Sequence, residues 1–317
     1  MTVTKPITVI SYNPNWPQMF EAEAESIRKA LGDNCIGVHH IGSTSVPNLA
    51  AKPKIDIVAE VKDPEDSISA LENAGFTYSG EWNIPFKYGF TKRGVVDVNL
   101  HVFKKNHPEI ELNLAFRDYL RSNPKALDEY ASLKENLLQN ESSFEKNNSM
   151  FTGYNLGKDA FIRKILKLCG FSRIRFLKCT HYAEWEKAKH FRQTYFFDKV
   201  PIADSYEWTF NHKDHVHFVL YQGVEIIGYA HIQLWPNQRT ALRIIVIDEN
   251  KRNYTFGSQF LELIEKWLTV QKYNSIHVES TLSALKFYKK HNYIEMPFDD
   301  PDGYESSPKD IPLGKFL

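Results

Sequence analysis

Two carboxylates, Asp56 and Glu60, lie on a short β-branched segment that follows a small-residue turn, Gly42-Ser43. Glycine lets a ligand approach the main chain, and the adjacent serine offers a hydroxyl and an N–H group to phosphate oxygens. Carboxylates on one face of a strand are hard ligands that hold Mg²⁺ together with substrate phosphates. The pattern therefore indicates a phosphate-and-metal site, although an ordinary turn before a solvated strand would show the same residues.

A second segment, from Gly94 to Phe103, has the same alternating character. Its apolar residues share one face, and the opposite face carries Asp97, Asn99 and His101. Aspartate is depleted from strands, so its presence here favours a functional role over a solvated face. If this strand pairs beside the first, we expect Asp97 and His101 to lie next to Asp56 and Glu60.

The run HIGSTSVPNLAAKPKIDI, with YNPNWP before it and LAFRDYL and YASLK after it, resembles the GrpB family over roughly residues 7–168. The resemblance implies a nucleotidyltransferase-like fold, in which Gly-Ser binds a nucleotide triphosphate and strand carboxylates bind metal. Val58 stands where active members of that superfamily usually have a second acid. The expected nucleotide-binding residues are Gly42, Ser43, Lys52 and His101. The expected Mg²⁺ ligands are Asp56, Glu60 and Asp97.

The second half of the chain has its own anion-binding pattern in RNYTFGSQFL, residues 252–261, between a predicted strand and an amphipathic helix. Unpaired N–H groups at a helix N-terminus and the helix dipole together suit a pyrophosphate. Gly257 allows close approach, Ser258 adds a hydroxyl and Arg252 adds charge. An arginine and a glycine before a helix are also typical of an ordinary cap.

The order hairpin, strand, Arg-containing loop and helix, followed by SALKFYKKHNY at residues 283–293, resembles a GNAT N-acetyltransferase over about residues 173–317. The resemblance implies that the loop binds the pyrophosphate of acetyl-CoA and that Tyr288 protonates the leaving thiolate. Thr255 stands where the family usually has another glycine. The expected acetyl-CoA contacts are Ile245, Val246, Ile247, Arg252, Thr255, Gly257 and Ser258.

The mechanism implied is direct attack of an amine on the thioester, assisted by positioning, by backbone amides at the oxyanion and by proton transfer. The expected acid is Tyr288. The residues leave the general base open between Glu225, His231 and Glu279, each of which could equally be an ordinary solvated or hydrogen-bonded side chain.

The elements that must position these residues imply two domains, because 317 residues exceed one compact core of ordinary size. We place the boundary near Gly170, giving domains 1–170 and 171–317. Alternating strands and helices predict a mixed α/β (α+β) fold in both. The GrpB resemblance implies that the first is a nucleotidyltransferase-like mixed sheet with helices. The GNAT resemblance implies the acyl-CoA N-acyltransferase fold for the second, in which alternation and turn residues predict a hairpin turning at Gln222-Gly223.

Composition narrows the function classes. Lys+Arg 39 against Asp+Glu 39 gives no basic excess for nucleic acid. Three cysteines without paired spacing indicate reduced thiols, and no apolar stretch reaches membrane-spanning length. We expect a soluble, cytoplasmic protein. His212, His215 and His217 are interpreted as a polar loop entering a strand rather than as a metal site.

Three functions follow as hypotheses. The leading one is an N-acetyltransferase that moves acetyl from acetyl-CoA to an amine of a small molecule or peptide, with an appended GrpB-type domain. The second is a Mg²⁺-dependent nucleotidyltransferase whose GNAT half binds CoA or positions substrate. The third is a non-catalytic ligand-binding protein, which Val58 and Thr255 favour.

Overall fold

The computed structural model describes residues 7–146, 151–198, 204, 206–210, 212–303 and 308–317. Its contacts divide the chain into two units, Met1–Arg175 and Phe176–Leu317. The sequence placed the boundary five residues earlier, near Gly170. Within the described part of the chain, no helix combines the length and apolarity needed to cross a bilayer.

The first unit is built on a five-stranded sheet in the order β1-β2-β5-β4-β3. Its strands are β1 (Cys35–Ile41), β2 (Lys54–Val61), β3 (Thr77–Gly80), β4 (Tyr88–Lys92) and β5 (Asp97–Lys104). β2 and β5 run parallel, side by side, and the other pairs are antiparallel. Their alternation buries Ile55, Ile57, Val98 and Leu100 in the main core. The two strands predicted to carry the first site are therefore confirmed as neighbours.

Six helices of this unit lie in the described residues. They are α1 (Trp16–Leu31), α2 (Ser67–Asn73), α3 (Pro108–Ser122), α4 (Pro124–Leu138), α5 (Gly153–Leu156) and α6 (Asp159–Leu168). A second apolar cluster joins the segment after β1 to the later helices through Leu49, Leu120, Tyr130 and Phe161. This cluster fixes α4 and α6 beside the Gly42-Ser43 turn.

Segment 140–149 has the polar composition typical of a linker, and its described part, residues 140–146, is nevertheless folded. Its beginning forms a 3₁₀ turn, Glu141–Phe144. The N–H group of Gly153 donates to the carbonyl of Glu145 at 2.9 Å. A Cβ atom on Gly153 would overlap the carbonyl oxygen of Ser142. The segment therefore packs closely against the start of α5.

The second unit contains a seven-stranded sheet in the order β11-β12-β10-β9-β8-β7-β6. Its strands are β6 (Ile174–Lys178), β7 (His215–Gln222), β8 (Glu225–Trp235), β9 (Arg239–Ile247), β10 (Ser275–Ser280), β11 (Ile294–Glu295) and β12 (Ile311–Phe316). The predicted hairpin is confirmed as β7 and β8 with Gly223 at φ 60°. Its helices in the described residues are α7 (Tyr182–Arg192), α8 (Phe256–Val270) and α9 (Leu285–Lys290).

The helices cover opposite faces of this sheet. Trp185 of α7 contacts His217, whereas Trp267 of α8 contacts Phe218, the next residue on β7. Successive side chains of a strand point to opposite faces, so α7 and α8 lie on different sides. α9 packs beside α8, where His291 bonds Ser258.

Candidate functional site

The first candidate site is a cavity of about 170 Å³ in the first unit. Its lining joins the turn after β1, the strand β2 and three later helical segments. The lining residues are Ser43, Thr44, Ala51, Lys52, Lys54, Asp56, Lys134, Tyr154, Asn155 and Lys158. Of the residues predicted for this site, Ser43, Lys52 and Asp56 line the cavity, and Gly42 lies directly behind it.

Gly42 is the residue that lets the turn close onto β2. It adopts φ 69° and ψ −174°, a region essentially restricted to glycine. A Cβ atom at this position would lie 2.7 Å from Oδ2 of Asp56. The sequence analysis expected a ligand to approach the main chain at Gly42. Part of that space is occupied by the Asp56 carboxylate.

Asp56 is surrounded by donors rather than by other acids. Nδ2 of Asn99 donates to its Oδ1 at 3.0 Å, and Nζ of Lys54 lies 3.9 Å from the same oxygen. Burial raises the pKa of Asp56, and the charges of Lys54 and other lysines and the Asn99 hydrogen bond oppose that rise. The carboxylate therefore has local partners within the protein.

The prediction that Asp56, Glu60 and Asp97 together bind Mg²⁺ is wrong, because their side chains do not converge. The register pairs Asp56 with Asn99 and places Asp97 opposite Lys54, about 8 Å from Asp56 along the diagonal. Glu60 lies four residues along β2, about 13 Å away, and accepts from the N–H group of Asn106. Among the described residues, no group of three or more His, Cys, Asp or Glu side chains could hold a metal ion. The residues present do not fit a Mg²⁺ site of the expected kind.

His101 also lies apart from the cavity. It pairs with Val58, and burial, with the charges of Lys87 and Lys54, lowers its pKa to about 3. The imidazole is consequently neutral at physiological pH. Contact with a bound nucleotide is not supported by this position.

Lys134, Tyr154, Asn155 and Lys158 are the lining residues that the sequence analysis missed. Lys134 falls on the buried stripe of α4 with Ala126 and Tyr130, each four residues apart, and it is only 3% exposed. A lysine on the apolar face of an amphipathic helix was a usable signal. For Tyr154 and Lys158 the sequence offers no comparable signal, because their approach to β2 is set by tertiary packing.

The second candidate site surrounds the N-terminus of α8. Thr255, the N-cap residue, makes no side-chain cap bond, and the first turn contains no acidic residue. The leading N–H groups of the helix are therefore available to an anion. Oγ of Ser258 lies 2.9 Å from Nε2 of His291, and a Cβ on Gly257 would approach nothing nearer than Phe287, at 3.6 Å.

Arg252 lies at the entrance of this helix. Its Nε donates to the carbonyl of Ile247 at 3.1 Å, and its guanidinium lies 4.8 Å from the ring centre of Tyr195. The hydroxyl of Tyr195 in turn accepts from the N–H group of Glu249. These contacts hold the loop between β9 and α8.

An opening in the sheet lies beside the same helix. β9 and β10 pair only from Arg239 to Ala241 and from Ser275 to His277, after which the described strands diverge. Ile245, Val246 and Ile247 still pair with β8 on their other edge. Because successive N–H groups of a strand point to opposite neighbours, some backbone donors of β9 face the opening. The acetyl-CoA contact assigned to Ile245, Val246 and Ile247 stays a prediction.

Glu279 lies on the other side of the opening, two residues beyond the last β9–β10 pair. One of its carboxylate oxygens, Oε1, is buried and has no hydrogen-bond partner among the described residues. It shares the sheet face of His277, which contacts Trp235 on the α7 side. An unpaired buried acceptor costs free energy unless something donates to it.

The three expected catalytic residues are placed very differently. Tyr288 is 5% exposed, and burial raises its pKa, so the phenol stays protonated. Glu225 is exposed at the hairpin end, 3.8 Å from Lys251. His231 is buried with its ring nitrogens facing His215 at 2.8 Å and Arg192 at 3.5 Å. Burial and the neighbouring His217, Arg192 and His215 hold the pKa of His231 well below its usual range. The geometry therefore does not support Glu225 or His231 as the base.

The interpretation of the three clustered histidines as a polar loop is also incomplete. His215 and His217 are buried in β7, where Nδ1 of His217 lies 2.7 Å from the hydroxyl of Tyr229. His217 and His231 stack with ring centres 4.2 Å apart. Only His212 belongs to the loop.

Comparison with known proteins separates the two halves of the chain. Residues 6–168 match the model of the family described as GrpB protein, and residues 172–293 match that of the acetyltransferase (GNAT) family. A UPF0157 protein of Halalkalibacterium halodurans is 43% identical over 141 residues, 43% of this chain and 71% of that one. The UPF0157 protein YqkA of Bacillus subtilis is 37% identical over 163 residues, and this chain spans 45% of its length.

Among solved structures, the acetyltransferase of the GNAT family from Staphylococcus aureus Mu50 is 17% identical. It covers 46% of this chain and 99% of its own, with a TM-score of 0.38.

Proposed function

We propose that this chain, which belongs to the GrpB family through residues 6–168 and carries a GNAT acetyltransferase domain over residues 172–293, transfers an acetyl group from acetyl-CoA to an amine. The observation that carries the proposal is the opening between β9 and β10 beside the uncapped N-terminus of α8. The opening offers backbone donors to a thioester, and the helix end offers N–H groups to a pyrophosphate.

The proposed reaction includes two proton transfers, and a different residue carries out each. The amine nitrogen attacks the thioester carbonyl, whose oxygen accepts from amides of β9 while the C–S bond breaks. Tyr288 gives its proton to the departing thiolate, which its raised pKa permits because the phenol is neutral beforehand. Glu279 takes the proton of the amine through its unpartnered Oε1. Glu279 therefore replaces Glu225 and His231 as the proposed base.

The test measures binding and turnover separately. Titration calorimetry with acetyl-CoA should show binding, and a panel of polyamines, amino acids and short peptides should contain an acceptor that releases free CoA thiol. In Tyr288→Phe we expect unchanged acetyl-CoA affinity and turnover lower by about a hundredfold. Tyr182→Phe, at the exposed start of α7 in the same unit, is the matched control and should behave like the wild type.

One result would overturn the proposal, and another would overturn only its residue roles. The first is failure of a folded sample to bind acetyl-CoA or CoA. The second concerns only the residue roles: unchanged turnover in both Tyr288→Phe and Glu279→Gln would remove them from the proton transfers while leaving the reaction itself.

A further inference from the structure

We propose that the lysine-lined cavity of the first unit binds a compact polyanion, a diphosphate or triphosphate group, without a divalent cation. The inference is independent of the acetyl transfer proposed for the second unit.

The charge of the cavity points to an anionic ligand. Four ammonium groups, of Lys52, Lys54, Lys134 and Lys158, line it with one carboxylate, and that carboxylate already lies beside Lys54. Among the described residues, no carboxylate lies within ion-pair distance of the other three lysines. Burying an ammonium group without a counter-charge costs free energy, which a bound anion would offset.

The ammonium groups are held in place before any ligand arrives. Lys134 donates to the carbonyl of Ala50 and lies 3.4 Å from Oγ of Ser43. Lys52 and Lys158 lie 4.8 and 4.6 Å from the ring centre of Tyr154, so one aromatic ring orients both cations. Preorganised donors lose little side-chain entropy on binding.

The size of the cavity limits the ligand. Pockets that enclose drug-sized molecules measure about 300–1,000 Å³. A cavity of about 170 Å³ accommodates a diphosphate or triphosphate group and leaves any attached nucleoside or sugar outside. Because the carboxylates of this sheet do not converge, the lysines supply the positive charge that Mg²⁺ would otherwise bring.

Proton uptake should accompany binding. Burial, and then the charges of Lys52 and Lys134, lower the pKa of Lys158 to about 7, although Asp56 opposes the shift. Burial lowers the pKa of Lys134 to about 8. An anion in the cavity favours the protonated form of both groups. Complex formation near pH 8 should therefore take up protons from the buffer.

The experiment is calorimetric titration of the full chain with pyrophosphate, tripolyphosphate, ATP and sulfate, in EDTA and separately in Mg²⁺. We expect tripolyphosphate to bind in EDTA and sulfate to bind more weakly. Lys134→Met and Lys158→Met should each lower the affinity about tenfold or more. Lys125→Met on α4 and Lys167→Met on α6, both exposed, are matched controls and should stay within about twofold.

The proton readout separates a ligand contact from a structural role. At pH 8 the binding enthalpy of the wild type should vary with the ionisation enthalpy of the buffer, and the variation should be smaller in Lys158→Met than in Lys167→Met. The proposal is overturned if none of the anions binds a folded sample in EDTA, if binding requires Mg²⁺, or if all four lysine variants lose affinity equally. Circular dichroism of each variant confirms that the unit is folded.

Discussion

Asn99 donates a hydrogen bond through Nδ2 to Oδ1 of Asp56, with 3.0 Å between the two atoms. The parallel register of β2 and β5 makes these two residues direct neighbours. An amide therefore occupies the position at which a second carboxylate would complete a metal pair.

Replacing Asn99 by an acid should make the stability of the first unit depend on a divalent cation. In Asn99→Asp two carboxylates face each other at a half-buried position, and we expect a loss of stability of about 1–3 kcal/mol in EDTA. Mn²⁺ or Mg²⁺ should restore part of it, because oxygen ligands then share a cation. Thermal unfolding with and without the cation measures both effects. Asp97→Asn is the control, and a cation response in the wild type equal to that of Asn99→Asp would contradict the prediction.

Gly42→Ala should destabilise the first unit more than the same change elsewhere. The substitution forces a Gly-only backbone region and places Cβ 2.7 Å from Asp56, so we expect a cost of about 3 kcal/mol or more. Gly75→Ala is the matched control, since it shares a positive φ of 86° but has no atom within 4 Å of the added Cβ. Urea unfolding of both variants provides the comparison. Equal losses would show that the contact with Asp56 relaxes freely.

Gly257→Ala should weaken CoA binding without lowering the thermal stability of the protein. The added Cβ would make only an ordinary contact with Phe287, and alanine favours a helix over glycine. We expect an unchanged or higher melting temperature and an affinity for CoA that falls about tenfold, because a methyl group blocks the phosphates. Calorimetry and thermal unfolding measure the two quantities. Thr255→Gly should change affinity in the opposite direction, and wild-type CoA affinity in Gly257→Ala would argue against phosphate binding at this turn.

The stability of the ligand-free first unit should rise with pH above neutrality. The pKa of Lys158 is about 7 in the folded chain and has its ordinary value of 10.5 in the unfolded chain. Between these values the unfolded chain binds more protons, so the free energy of unfolding increases with pH across this window. Urea unfolding at pH 6, 7, 8 and 9 should show the slope in Lys167→Met and a smaller one in Lys158→Met. Identical slopes would place the titration elsewhere.

Sequence predicted the elements whose pattern is local. The strands around Asp56 and Asp97 alternate cleanly, and Gln222-Gly223 marks a hairpin, so all of these were recognised. β1, β3 and β4 were missed. β1 has most of its side chains half-buried, and β3 has only four residues, so neither presents a clear alternation.

The chemistry was harder to predict because it depends on register and on distant segments. Alternation placed Asp56 and Asp97 on one sheet face. Only the pairing of β2 with β5 shows that Asn99, and not Asp97, lies opposite Asp56. Lys158, at the start of α6 about a hundred positions later, lines the same cavity as Asp56, and no local pattern indicates this proximity. In the second unit, the Gly257 loop was identified, whereas burial of His231 could not be inferred from its polarity.

The fit of Gly153 against Ser142 has a consequence for how this protein can vary. A methyl group there would overlap the Ser142 carbonyl oxygen, so either the turn 141–144 or α5, which carries Tyr154, would have to shift, although Gly153 does not line the cavity. A mutation that disturbs the cavity can therefore arise outside its lining, where α5 contacts a stretch whose composition resembles a dispensable spacer.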